Sequence, residues 1–103
     1  MKVIIDRDVP MTTRDGVLLR ADIFRPADDG LHPVLLTRTP YGKQFQQFSE
    51  AFGQPLVNLT KRGYAVVIQD CRGTGASCGD FEFYVNEGTD GSDTVEWCAA
   101  QRW

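Results

Sequence analysis

The sequence holds a single histidine, His32, and only three cysteines, Cys71, Cys78 and Cys98. The cysteines are odd in number and never spaced as C-x-x-C, so no disulfide framework is spelled out. With the histidine far upstream of them, the usual zinc-ligand spacings are missing too, and neither metal nor other cofactor is expected. Long apolar runs are also lacking. The longest, residues 64–68, is far too short to span a bilayer. Charge of one sign is scarce: 11 Lys and Arg stand against 14 Asp and Glu, a formal net charge of -3. No basic field is available for nucleic acid or anionic lipid. The first residues, with Lys2, Asp6, Arg7 and Asp8, turn charged before a signal-peptide core can form. A cytoplasmic protein with neither nucleic-acid nor membrane partners is the expectation, with its oligomeric state left open.

What is present suits one small α/β domain. The chain has 103 residues, 42% hydrophobic and 24% charged. Residues 2–11 alternate loosely around Pro10 and predict an edge strand. Asp15-Gly16 predicts a type I′ hairpin turn, which requires positive φ at both central positions. Beyond it, Val17, Leu19, Ala21 and Ile23 fall on one face, and Leu18, Arg20, Asp22 and Phe24 on the other, as in a half-buried strand. Residues 25–33 read as turn chemistry, with His32 on the surface and without an acidic partner nearby. Residues 34–38 form a short apolar run, expected as an interior strand. Phe45, Phe48, Phe52, Leu56 and Leu59 recur at helical spacing and predict a core-facing helix in two pieces. The second piece has Pro55 in its first turn and stops at Gly63. Residues 64–70 are a second buried strand, so the connection from the first is long enough for a right-handed parallel crossover. Finally Val95, Cys98, Ala99 and Trp103 mark one helical face, with Asp93-Thr94-Val95-Glu96 at capping-box spacing. On that reading the chain stops inside an unfinished helix, and a fragment is expected.

The loop after Asp70 contains Gly75-Ala76-Ser77-Cys78-Gly79, a literal G-x-S-x-G. Three physical objections count against Ser77 as a nucleophile. It lies seven positions beyond the end of its strand, residues 80–85 look extended where a helix should begin, and no histidine follows to complete a Ser–acid–His order. Ser77 is therefore expected as a turn residue. The same loop has neither a P-loop Lys-Ser/Thr nor a correctly spaced G-x-G-x-x-G, which leaves a nucleotide-binding domain as a weak reading. A non-catalytic interaction module is the other alternative.

Four ordered blocks carry a resemblance: residues 15–26 (DGVLLRADIFRP), 37–43 (TRTPYGK), 63–73 (GYAVVIQDCRG) and 93–97 (DTVEW). Together they resemble the N-terminal part of the cocaine-esterase-like and X-Pro dipeptidyl-peptidase family of α/β-hydrolases. The resemblance implies a serine hydrolase that cleaves ester or amide bonds of a small ester or peptide through an acyl-enzyme. It also implies an incomplete α/β-hydrolase sheet: an antiparallel hairpin, a parallel strand–helix–strand unit and a C-terminal helix. The family's G-x-S-Y-x-G elbow would lie on the strand after that helix, and the triad acid and histidine later still. Residues 1–103 would then contain none of the triad and be inactive alone. One catalytic position carries over. Tyr41 matches the family tyrosine whose phenol helps to form the oxyanion hole. A phenol, protonated at neutral pH, donates a hydrogen bond to a developing alkoxide, and Tyr41 sits where α/β-hydrolases place such a donor, after the third strand. Asp70 and Arg72 match an Asp-x-Arg-Gly block and are expected to brace their loop. The chain departs from the pattern at Cys78, where glutamate is usual, and at Arg102, where proline is common.

Overall fold

A computed structural model describes residues 2–43, 53–82 and 85–103. The elements follow in the order β1 (Val3–Thr12), β2 (Leu18–Pro26), β3 (Val34–Thr39), α1 (Gly53–Lys61), β4 (Ala65–Asp70) and α2 (Glu87–Ala99). The strands form one four-stranded sheet in the order β1-β2-β4-β3. β1 and β2 are antiparallel, β2 and β4 antiparallel, and β3 and β4 parallel. The hairpin and the parallel strand–helix–strand unit are thus present as the sequence implies. The first helical piece, with Phe45, Phe48 and Phe52, lies outside the described residues.

Alternation sorts the sheet into two faces. Ala21, Ile23 and Val67 pack with Cys98 of α2, joined by Val34, Leu36, Trp97 and Trp103. Phe24, Val66 and Ile68 pack with Leu56 and Leu59 of α1 on the opposite face. Each fully buried aliphatic side chain here contributes about 1.5–3 kcal/mol relative to exposure. β4 is buried along its whole length, because strands flank it on both sides and helices cover both faces. β2, read as half-buried, has buried residues on both faces for the same reason. β3, read as interior, ends the sheet with β4 on one side only and is mostly half-exposed.

Three local expectations are corrected. The hairpin is not a two-residue type I′ turn: it runs through Thr13–Val17, closed by the Gly16 N–H to Thr13 O (3.0 Å) and the Thr13 N–H to Val17 O (2.9 Å). Only Gly16 takes positive φ there (+85°), as longer turns with a terminal glycine require. The last helix begins at Glu87, so Asp93 is an interior residue and its capping-box spacing is incidental. Asp93 instead binds Arg14 of the hairpin through two side-chain contacts of 2.6 and 2.8 Å. Nor is the helix unfinished. It ends at Ala99, and Trp103 turns back edge-on against Trp97 with ring centroids 6.1 Å apart.

His32 is corrected as well. Its side chain is only 9% exposed, with Nε2 2.9 Å from Asp28. Nδ1 is 3.0 Å from Trp103 O. Its backbone N–H donates to the same carbonyl (2.7 Å). The acid partner lies four residues earlier in the same turn and comes within reach only once the turn is formed. Among the described residues no helix is long and apolar enough to cross a membrane.

Candidate active site

Two loops leave the C-terminal ends of the adjacent parallel strands β3 and β4. The β4 loop is closed on itself. The Gly73 N–H donates to Cys78 O (2.8 Å), Thr74 to Cys71 O (3.0 Å), Ser77 to Thr74 O (3.0 Å) and Cys78 to Leu18 O (2.7 Å). The Ala76 N–H donates to an Asp70 carboxylate oxygen (3.0 Å). Gly75 takes positive φ (+51°), and a Cβ there would sit inside the Asp70 carboxylate. Only glycine permits that approach. These amides are spent inside the protein and are not turned toward a ligand.

Ser77 is buried, and its hydroxyl is committed twice. It donates to Asp70 O (2.6 Å) and accepts from the Arg20 N–H (2.8 Å). A nucleophile needs an exposed oxygen with a base beside it. The Ser77 oxygen is instead buried and bonded on both sides, and it stitches its loop to β2. Arg72 completes the brace. Its guanidinium meets Asp15 through two 2.8 Å bonds and buried Asp90 of α2 at 3.0 and 2.8 Å. Bonds to Asp15 and then Asp90 raise the Arg72 pKa, and Arg72, followed by Thr13, holds Asp15 well below the usual carboxylate range. Asp70 and Arg72 therefore brace the loop, as expected from their block.

The β3 loop is built differently. The Tyr41 N–H donates to the buried Thr39 Oγ1 (3.0 Å), and Gly42 takes positive φ (+93°). Tyr41 is 75% exposed. Two residues on, Lys43 is 2% exposed, yet it carries an ammonium group. Its Nζ lies 2.5 Å from Asp8, 3.1 Å from Asp22 and 4.0 Å from Asp70. Its backbone N–H donates to Asp70 Oδ1 (2.8 Å). Burial draws the Lys43 pKa down, but bonds to Asp8 and Asp22 outweigh it, so the net shift is upward and the ammonium form is held.

Asp22 needs such company, since it is wholly buried on an interior strand. A bulge in β1 supplies more. The β1–β2 register slips between Asp6 and Val9, and the chain there wraps the Asp22 carboxylate. The Asp8 N–H donates to it (2.9 Å), as does Arg7 Nη1 (3.0 Å). Asp8 takes φ of +52°, a conformation that costs a non-glycine residue about 1–2 kcal/mol. An open cleft of about 290 Å³ lies beside this cluster, lined by Asp8, Gly42, Lys43, Asp70, Gly75 and Ala76.

On the other face of the same strand ends, Arg38 links β3 to β4 and α2 through Gln69 (2.7 Å) and Glu87 (2.6 Å), and the Thr94 hydroxyl donates to Gln69 (2.9 Å). Sequence reasoning marked Tyr41 and missed Lys43, Asp8 and Asp22. A signal existed: Asp22 alternates in phase with Phe24 on an apolar strand, so a buried carboxylate there demanded a cation.

The arrangement of these strands and loops has close counterparts. Residues 15–103 match the family model for X-Pro dipeptidyl-peptidase (S15 family). The chain belongs to that family. This S15-family chain is 46% identical over 96 residues to cocaine esterase from a Rhodococcus species, covering 92% of the chain and 16% of the esterase. Among solved structures it resembles a CocE/NonD family hydrolase from Staphylococcus aureus, with a TM-score of 0.84 and 28% identity, over 100% of the chain and 21% of that protein. It also resembles an α-amino acid ester hydrolase, with a TM-score of 0.75 and 29% identity, over 92% of the chain and 18% of that protein. The S15-family chain thus spans about a fifth or less of each of these three relatives, and its fold is that of the N-terminal part of these α/β-hydrolases.

Proposed function

We propose that residues 1–103 are the N-terminal segment of a serine hydrolase acting on ester or amide bonds, and that Tyr41 donates its phenolic proton to the oxyanion of the tetrahedral intermediate. The observation that carries this reading is the contrast between the strand-end hydroxyls: Ser77 is buried and doubly bonded, while Tyr41 stands exposed on the β3 loop. On this reading the chain contributes an electrophilic donor and no nucleophile. The nucleophile would come from a strand after α2, laid along the β3 edge that β4 leaves open. An apolar cleft between β3 and α2, lined by Val34, Leu36, Val95, Cys98 and Ala99, supports that placement. So does the buried Nη2 of Arg38, which has no partner among the described residues. The substrate would be a small ester or peptide.

A chimera tests the proposal. This chain replaces the matching 96 residues of the Rhodococcus cocaine esterase, and hydrolysis of a simple activated ester is measured. The folded chimera should turn over, and the 103-residue chain alone should not. In the chimera, Tyr41→Phe should lower kcat by about 100-fold, or about 3 kcal/mol of transition-state stabilisation. Unchanged turnover in that variant would remove Tyr41 from the reaction, and robust hydrolysis by the chain alone would refute the division of labour.

A further inference from the structure

Lys43 has no evident reason to be buried if the β3 loop is merely a connection. An apolar residue of similar length would fill the space without the desolvation cost of an ammonium group. Instead its side chain gathers carboxylates from three strands: Asp8 of β1 at 2.5 Å, Asp22 of β2 at 3.1 Å and Asp70 of β4 at 4.0 Å. The backbone of the same residue is tied to Asp70 by its N–H at 2.8 Å. Both ends of Lys43 are thereby fastened to the sheet, two residues beyond Tyr41.

Tyr41 needs such an anchor. Its side chain is largely exposed, so packing within this chain does little to aim it. Direction must come from the backbone, which is held on one side by the Tyr41 N–H bond to Thr39 Oγ1. On the other side it passes through Gly42, at φ +93°, into Lys43. An oxyanion donor accelerates a reaction only when it is already in place as charge develops. The β1 bulge fits the same purpose, because it turns Asp8 to meet the ammonium group while Arg7 and the Asp8 N–H satisfy Asp22.

We propose that Lys43 is a positioning residue for Tyr41, locking the β3 loop by drawing the carboxylates of Asp8, Asp22 and Asp70 into one cluster. The inference deepens the oxyanion reading of Tyr41 and rests on it. Lys43 touches no reacting atom in this role and acts only through the tyrosine.

A double-mutant cycle in the chimera separates this from a general structural role. Rates are expressed per serine titrated by an irreversible phosphonate, so that unfolded enzyme is not counted. Lys43→Met, similar in length but uncharged, should lower kcat on the order of 10- to 100-fold, with KM changed by less than about twofold. In the Tyr41→Phe background the same substitution should change kcat by less than about twofold, since the group it positions is already gone. Lys43→Arg, which keeps the charge, should recover part of the lost rate. Equal losses in both backgrounds, or no loss in either, would overturn the role of Lys43 while leaving Tyr41 in place. If Tyr41→Phe alone is silent, the oxyanion reading falls and this inference with it. Should Lys43→Met fail to fold, Asp8→Asn carries the same cycle. Asp8 is 51% exposed and supplies the nearest carboxylate, and a loss confined to the background that retains Tyr41 is again the supporting result.

Discussion

The loops after β3 and β4 start from neighbouring parallel strands, each carries a hydroxyl side chain, and they hold it in opposite settings. The β4 loop turns inward. Its amides bond to one another and to Asp70, and Ser77 is spent between Asp70 O and the Arg20 N–H. The β3 loop keeps its backbone pinned at Thr39 and Lys43 and leaves the Tyr41 side chain outside. A hydroxyl is chemically available when its surroundings leave it unbonded and accessible, whatever motif spells it. The glycine-rich loop has the motif and buries its serine, while the plain one leaves its tyrosine exposed.

The contrast can be broken directly. In the chimera, Tyr41→Phe should cost about 100-fold in kcat, whereas Ser77→Ala should leave kcat per folded molecule unchanged and lower stability by about 2 kcal/mol, because it strands a buried N–H and C=O. A large kcat effect from Ser77→Ala would erase the distinction between the loops. The next effect tests what holds the β4 loop shut. Arg72→Ala leaves the buried Asp90 carboxylate without its cation and should destabilise by about 3 kcal/mol or more in chemical denaturation. A loss below about 0.5 kcal/mol would mean the guanidinium is no brace.

Gly75→Ala should be somewhat milder, about 2 kcal/mol, since the new Cβ must displace the Asp70 carboxylate at positive φ. That carboxylate also accepts the Lys43 N–H. The substitution should therefore slow turnover as well as lower the melting temperature; a purely thermal effect would show that the two loops are not coupled through Asp70.

The smallest effect is chemical. Burial pushes the Cys71 and Cys98 thiols up to about 11, while Cys78 is exposed on the β4 loop. At pH 8 a thiol with that pKa is thiolate in only about one molecule per thousand. Iodoacetamide should label Cys78 quickly and the other two only after unfolding. Three equal rates would contradict the closed packing of this region.

Much of the fold could be read from residues 15–26 and 64–70. Their alternation, the run Tyr64–Ile68 and the loop-forming glycines identified the hairpin and the parallel pair. Asp93-Thr94-Val95-Glu96 misled because a capping box is local spacing, and spacing cannot tell whether the helix has already begun. It had, at Glu87, and Asp93 was needed across the molecule by Arg14. His32 reads as a surface residue for a related reason, since Asp28 and Trp103 enclose it only in the folded chain.

The strand faces and the family blocks could be read along the chain alone, because periodicity, turn chemistry and family motifs are local properties. Only the tertiary structure decided that Ser77 is bonded out of reach and that Lys43 is buried among Asp8, Asp22 and Asp70. Those partners lie 7 to 57 residues away in the chain. Burial and charge pairing depend on which strands become neighbours, and that is settled when the sheet closes.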